Sequence, residues 1–352
     1  MPTEEPFLHD AIERVQHWAS ALPETPQPID AHGPTRFRLR DGAKLAVLGN
    51  AFVEPLTAAL RTAGVNVEIA AGPPWLSPER RTRYHFGLQS ARCGWLETPV
   101  AVAEALARAT SLDSPSSGEL ADVNGRIFDL MWDVNPDGFD NAVELERERT
   151  SHQRALAGLL EQSDALLVVF GGIEGWRRRS DGAILQLDPF AFPGVPRDRY
   201  VFRPCTLDEC VDALRSIART VRIDRPGIRL LFAVSPIPVI ATLEPTHVLQ
   251  ADRLAKSTLR LAIETLRGEN PDVEYFAILE SFDATGLSGT AHAPERALHP
   301  AFVEAMARSF VRRFGAYNPG AQPNAADAAE YERPLCDEDE LRELMSREFE
   351  AG

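Results

Sequence analysis

Lys44-Leu45-Ala46-Val47-Leu48-Gly49-Asn50-Ala51-Phe52 decides the fold. Leu45 to Leu48 is an apolar run of strand length without polar alternation, which predicts a strand buried on both faces. Gly49 permits a sharp turn. Glu54-Pro55 then suits a first helical turn, where proline forfeits no needed N–H. Strand, tight turn and helix in immediate succession make the building unit of a parallel sheet, and open parallel sheets bind ligands just past the carboxyl ends of their strands. Asn50 and Ala51 stand at that position, and neither side chain carries a nucleophilic hydroxyl or thiol.

Outward from this stretch the same alternation continues. Residues 65–69 predict a second strand and 98–110 a helix with Pro99 at its start. Residues 141–161 predict a helix dense in Glu and Arg, and 164–170 (Asp164-Ala165-Leu166-Leu167-Val168-Val169-Phe170) the clearest buried strand, ending in Gly171-Gly172. Residues 206–220 predict a helix opened by a Thr206/Glu209 capping box. Residues 229–234 form a further apolar strand, closed by Ser235-Pro236-Ile237-Pro238. A helix over 250–267, a strand over 273–278 and a helix over 300–314 complete the series, the last with Phe302, Met306, Phe310 and Val311 on its apolar face. Strands this continuously apolar, alternating with helices, predict a parallel sheet covered on both faces. Between these elements lie an irregular stretch over 72–94, a polar turn over 111–118, a hairpin arm over 125–130, a small strand over 182–187 and proline-rich coil over 189–204.

The flanks differ in composition. Residues 6–22 predict an amphipathic helix and 23–34 a proline-containing linker. After Tyr317 the chain turns to Pro, Ala, Asn and acid, with an acidic helix expected over 337–349. That helix is expected to pack back on its own domain in preference to binding a protein partner, although the second role stays open. The expected division is therefore 1–34, 35–316 and 317–352.

Composition bounds the partners. The chain has 352 residues, 44% hydrophobic and 25% charged, with a net charge of −15. Such an acidic surface disfavours nucleic acid and anionic membranes, which both need a basic face. No run of apolar residues is long enough to span a bilayer. The acidic start Met1-Pro2-Thr3-Glu4-Glu5 lacks an apolar leader core. Cys93, Cys205, Cys210 and Cys336 lack zinc spacing and predict reduced thiols in a cytoplasmic protein. Gly171-Gly172 is too short for a phosphate loop, so neither a metal nor a cofactor is expected.

Several uncommon strings occur in one order. They are Gly49-Asn50-Ala51-Phe52-Val53, Ser90-Ala91-Arg92-Cys93-Gly94, Phe170-Gly171-Gly172-Ile173-Glu174-Gly175-Trp176, Val234-Ser235-Pro236-Ile237-Pro238, His247-Val248-Leu249, Lys256-Ser257-Thr258-Leu259-Arg260 and Leu298-His299-Pro300. Together, over residues 35–316, they resemble the GSCFA-domain family of the SGNH (GDSL-type) hydrolase superfamily. The resemblance implies a flavodoxin-like three-layer α/β/α fold and an ester hydrolase or O-acyltransferase ancestry. In that chemistry a Ser attacks an ester carbonyl, a His placed three residues after an Asp takes its proton, and backbone N–H groups with a Gly and an Asn hold the oxyanion. Here Asn50 or Ala51 replaces the nucleophile, Arg296 stands where the Asp belongs, and Ile173 falls near the oxyanion donor.

The candidate catalytic residues are therefore His299, the nucleophile position Ala51, Asn50, and Glu295 as a substitute orienter. Gly49, Gly94, Gly171, Glu174, Trp176, His247 and Lys256 are candidates for the oxyanion or ligand cleft. Each has a structural alternative. His299 also suits a helix start, Glu174 and Trp176 a capped loop with a packed indole, and Lys256 a surface ion pair. Cys93 or Ser235 would serve as a displaced nucleophile, but a buried inert thiol and a rigid Ser-Pro turn are preferred. Arg177-Arg178-Arg179 is expected to be solvated. The favoured function is a pseudoenzyme, or a relative with altered chemistry, that binds a small or carbohydrate-like ligand. The alternatives are an active esterase or acyltransferase using His299, and a form of one inactivated by Ser-to-Ala replacement.

Overall fold

The computed structural model describes residues 29–70, 72, 76–110, 118–286 and 293–318. The helix expected over 6–22, the acidic helix over 337–349, Cys336 and residues 111–117 lie outside the described residues.

Five strands form one parallel sheet in the order β2-β1-β5-β8-β9. These are β1 (Lys44–Gly49), β2 (Asn66–Val67), β5 (Ala165–Phe170), β8 (Arg229–Val234) and β9 (Val273–Tyr275). Leu45 pairs with Ala165 and Gly49 with Val169, while Phe170 pairs with Val234, so the carboxyl ends of the three central strands finish level. The second strand is shorter than its 65–69 alternation predicts.

Side-chain alternation divides the core in two. Ala46, Leu48, Leu166, Val168, Phe170, Leu230 and Phe232 point to one face. There they meet the helices α3 (Pro99–Thr110), α4 (Ala142–Gln162), α5 (Leu207–Asp224) and α6 (Val248–Glu269). Leu45, Val47, Leu167, Val169, Leu231 and Ala233 point to the other face, against α1 (Val53–Thr62) and α9 (Pro300–Phe314). The result is the three-layer α/β/α architecture. Every β5 side chain is buried, and full burial of a large apolar side chain stabilises by about 1.5–3 kcal/mol. Phe302, Met306 and Phe310 form the buried face of α9 as the sequence predicts, while Val311 is only partly buried. Three shorter helices complete the described set: α2 (Pro78–Arg83) within the irregular 72–94 stretch, α7 (Ile278–Asp283) and α8 (Ala293–Ala297).

The capping box at α5 is present, with Glu209 N–H donating to Thr206 Oγ1 at 3.2 Å and Thr206 N–H to Glu209 Oε2 at 2.8 Å. Thr206→Ala should therefore lower stability by about 1 kcal/mol in chemical denaturation.

Two antiparallel hairpins sit apart from the main sheet. One joins β3 (Leu120–Val123) to β4 (Arg126–Asp129), and the other joins β6 (Glu174–Arg178) to β7 (Tyr200–Pro204). The second corrects two expectations. Residues 182–187 form no strand and contribute only an isolated bridge between Ile184 and Arg177. The proline-rich 189–204 stretch contains a strand, whose Pro204 sits at the terminal position opposite Glu174, where its missing N–H does least harm. The expectation of a solvated Arg177-Arg178-Arg179 run also fails for its first two members. Arg177 is buried against Cys205, with Nη2 to Sγ at 2.9 Å, and Arg178 pairs with Glu119 and Asp181.

Residues 30–39 strap the sheet to α9. Asp30 pairs with Arg312 at 2.5 Å and Arg313 at 2.9 Å. His32 Nε2 accepts from the Ala277 N–H at 2.7 Å, and Leu39 N–H donates to the Phe314 carbonyl at 2.6 Å. Burial works against the Asp30 carboxylate, yet bonds from His32, Arg312 and Arg313 hold its pKa well below the usual range. Among the described residues no helix is long and apolar enough to cross a membrane.

Candidate functional site at the carboxyl edge of the sheet

The ends of β1, β5 and β8 are stitched together by one connected set of hydrogen bonds. Gly49 N–H donates to Gln89 Oε1 at 3.2 Å, and Gln89 Nε2 donates to the Gly94 carbonyl at 2.6 Å. Leu96 N–H returns to the Gly49 carbonyl at 2.9 Å. The Glu97 carbonyl accepts from Gly171 N–H at 3.0 Å and Gly172 N–H at 3.1 Å. Lys256, reaching in from α6, donates to the Gly171 carbonyl at 2.6 Å and the Ile237 carbonyl at 2.7 Å. Gly49, Gly94, Gly171 and Lys256 thus meet at this edge, with Asn50 beside Gly171.

Two glycines are required by contact. Gly49 has φ of 145°, and a Cβ there would lie 2.1 Å from the Val169 carbonyl oxygen. A Cβ on Gly171 would lie 1.8 Å from Glu97 Oε2 and 2.7 Å from Asn50 Nδ2. The second measurement locates a group that the sequence analysis missed. The Glu97 carboxylate lies over the end of β5 and is hydrogen-bonded by the Asn50 side chain. Glu97 is exposed to solvent at this edge. Crowding by the surrounding protein raises its pKa, against the attraction of Lys256 and the bond from Asn50. Burial likewise pushes Lys256 down to about 8, opposed by Asp252, Glu97 and Asp283.

Asn50 is engaged at both ends of its amide. Its Oδ1 accepts from Phe52 N–H at 3.2 Å, and its remaining end faces Glu97. Ala51 is buried and presents a methyl group. Ser235 is fully buried, and its Oγ accepts from Ile237 N–H at 3.2 Å, the rigid-turn role. Burial pushes the Cys93 thiol up to about 12, so it is held as the unreactive thiol. Cys205 and Cys210 are also free and buried.

Other candidates take structural roles. Trp176 packs between Phe190 and Phe202, at ring distances of 4.4 and 5.3 Å, in the core shared by the two hairpins. His247 caps α6 by accepting from Leu249 N–H at 3.2 Å. Glu174 accepts from Thr242 Oγ1 at 2.9 Å and so anchors the loop that follows β8; burial raises its pKa, with Glu244 adding to the effect. His299 is exposed and caps α9, its Nδ1 accepting from Ala301 N–H at 3.3 Å. The α9 start is drawn toward the β1 turn by Phe52 and Phe302, whose rings lie 6.3 Å apart. Among the described residues, however, no hydrogen bond joins His299 to Asn50 or Ala51. Glu295 and Arg296 are exposed on α8.

A cavity of about 30 Å³, lined by Cys93, Arg108, Asp129, Trp132, Arg149 and His152, lies behind this edge. It has room for about one or two waters, and Arg149 and Asp129 in its wall form an ion pair at 2.6 Å. Among the described residues no group of three or more His, Cys, Asp or Glu is placed to hold a metal ion.

A three-layer α/β/α protein with its candidate site at the carboxyl edge of a parallel sheet is the class that fold and geometry define. The GSCFA family model matches residues 44–287, and the chain belongs to the GSCFA family. Similar solved structures include a Parabacteroides merdae protein described as a GDSL-like lipase, 13% identical, covering 80% of this chain and 100% of that one, with a TM-score of 0.33. A carbohydrate esterase family 2 enzyme with a carbohydrate-binding domain from Corynascus thermopiles (Myceliophthora fergusii) is 12% identical, over 80% of this chain and 68% of that one, TM-score 0.29. An acetyl xylan esterase from Butyrivibrio proteoclasticus is 12% identical, over 80% and 66%, TM-score 0.33. No curated protein matches.

Proposed function

We propose that this GSCFA-family chain binds a small acyl-bearing or carbohydrate-like ligand at the carboxyl edge of its sheet, without passing through a serine acyl-enzyme. The observation that carries this reading is the pair at the β1 turn: a methyl at Ala51, preceded by an amide at Asn50 whose two ends are both committed. Loss of the attacking atom removes a function that the remaining groups cannot share out. Ser235 and Cys93 offer no replacement, because one hydroxyl serves a turn and the other group stays a thiol. What supports retained ligand binding is the polar equipment at the strand ends, where Glu97 reaches water beside the Asn50 amide and the buried Lys256 cation.

Two measurements on the full chain test the reading. A fluorophosphonate, which labels activated serines, should leave the intact mass unchanged. Calorimetric titration with an acetylated monosaccharide should show saturable binding. A serine adduct or absence of binding would reject the reading. Ester turnover abolished by His299→Ala would instead establish the histidine-based esterase.

A further inference from the structure

We propose that Glu97 is the general base of a serine-independent ester hydrolysis at this edge. The proposal rests on the reading that the cleft accepts an acyl-bearing ligand. It starts from placement. Glu97 follows Leu96, which is bound to the Gly49 carbonyl, and its own carbonyl is bound to Gly171 and Gly172. Its side chain crosses the gap between the two strand ends, touching the Asn50 amide and covering Gly171. A carboxylate therefore occupies the sector of the site where Ala51 supplies no reactive group.

The surroundings leave that carboxylate free to act. Among the described residues no cation lies within ion-pair distance of it, and Lys256 spends its hydrogen bonds on two carbonyls instead. Being exposed, it needs no neutralising partner, and none among the described residues engages it. It is steadied by a neutral amide and keeps access to water. Crowding by the surrounding protein raises its pKa, which strengthens it as a proton acceptor. At the start of the β1 turn, the Ala51 N–H has no hydrogen-bond acceptor among the described residues, leaving it available to a developing oxyanion.

The step balances without a covalent enzyme intermediate. A water oxygen bonds to the acyl carbon while Glu97 takes one of its protons. The tetrahedral adduct then collapses by breaking the acyl C–O bond. The departing alkoxide receives the proton back from Glu97, giving carboxylic acid, alcohol and regenerated carboxylate.

Hydrolysis of 4-nitrophenyl acetate by the full chain, followed against pH, tests the proposal. Positioned bases typically contribute about 100-fold to 10,000-fold, so Glu97→Gln should lower kcat by about 100-fold or more. KM should hold, and the acidic limb of the pH–rate profile should vanish. Matching thermal unfolding of native and variant protein would exclude a folding defect. Where Glu97→Gln fails to fold, Glu97→Asp decides: a folded variant with lower kcat and a shifted acidic limb supports the proposal, and a rate and limb unchanged from native overturn it. Turnover kept in Glu97→Gln and lost in His299→Ala would overturn it. So would an absence of native turnover, while saturable binding of the acetylated sugar would leave the ligand reading standing.

Discussion

Gly49→Ala is expected to be the most damaging single-methyl change in the sheet, lowering stability by about 4 kcal/mol or more, in the range reserved for strain and overpacking. Two independent costs add. The backbone at φ 145° is one that side-chain-bearing residues rarely adopt. The new Cβ would also sit 2.1 Å from a backbone oxygen of β5, which belongs to the central pair of the ladder and cannot rotate away. Gly172→Ala is the control. Nothing lies within 4 Å of its hypothetical Cβ, and its φ is not in the left-handed range. It should change stability by no more than about 0.5 kcal/mol, as surface substitutions do. Urea titrations of the two variants give the comparison directly. Equal destabilisation would mean that the β1–β5 approach is not the constraint described.

The second large effect is a pH dependence carried by Lys256. Burial lowers its folded-state pKa to about 8, from 10.5 in the unfolded chain. Between those values the unfolded state holds the extra proton, so stability rises with pH across that window. Below about pH 8 both states are protonated, and the cost of the buried cation is fully present. The difference in unfolding free energy between native protein and Lys256→Met should therefore grow by about 3 kcal/mol between pH 8 and 10.5. Cys93 acts the other way. Its raised pKa means the unfolded thiol ionises first, and stability is lost above pH 9. That contribution is common to both proteins and cancels in the difference. A flat difference curve would show that Lys256 is not the buried, carbonyl-bound ammonium seen here.

Most of the sheet was legible because its information is local. Six consecutive apolar residues in β5, or the alternation that puts Leu45 and Val47 on one face and Ala46 and Leu48 on the other, need no distant partner to be read. The β6–β7 hairpin was not legible. Glu174-Gly175-Trp176-Arg177-Arg178 gains its strand character from Tyr200 to Pro204, and from Glu119, which takes bonds from both Tyr200 at 2.5 Å and Arg178 at 2.8 Å. The site divides along the same line. Gly49 and Gly171 announce strand ends, and Lys256 stands in a motif. The histidines at 247 and 299 mislead because a ring nitrogen ahead of a helix caps it as an Asn or Asp oxygen does. Glu97 carried a faint signal, an acid placed between Gly94 and the Thr98 whose Oγ1 caps α3. Its meeting with Asn50 depends on how β1 and β5 are set side by side.

The strap formed by residues 30–39 has a consequence for biosynthesis. Its long-range hydrogen bonds join groups 231 to 283 residues apart. The clasp on α9 closes only after nearly the whole described chain has left the ribosome. Contacts this remote are slow to find. During that interval the His32 and Phe37 rings, which later pack on Phe276 and Phe314 at 4.9 to 6.5 Å, lack these partners on the nascent molecule. This early-translated stretch is thus among the last of the described residues to dock, and until it does, the newborn protein carries an adhesive patch that chaperones would be expected to guard.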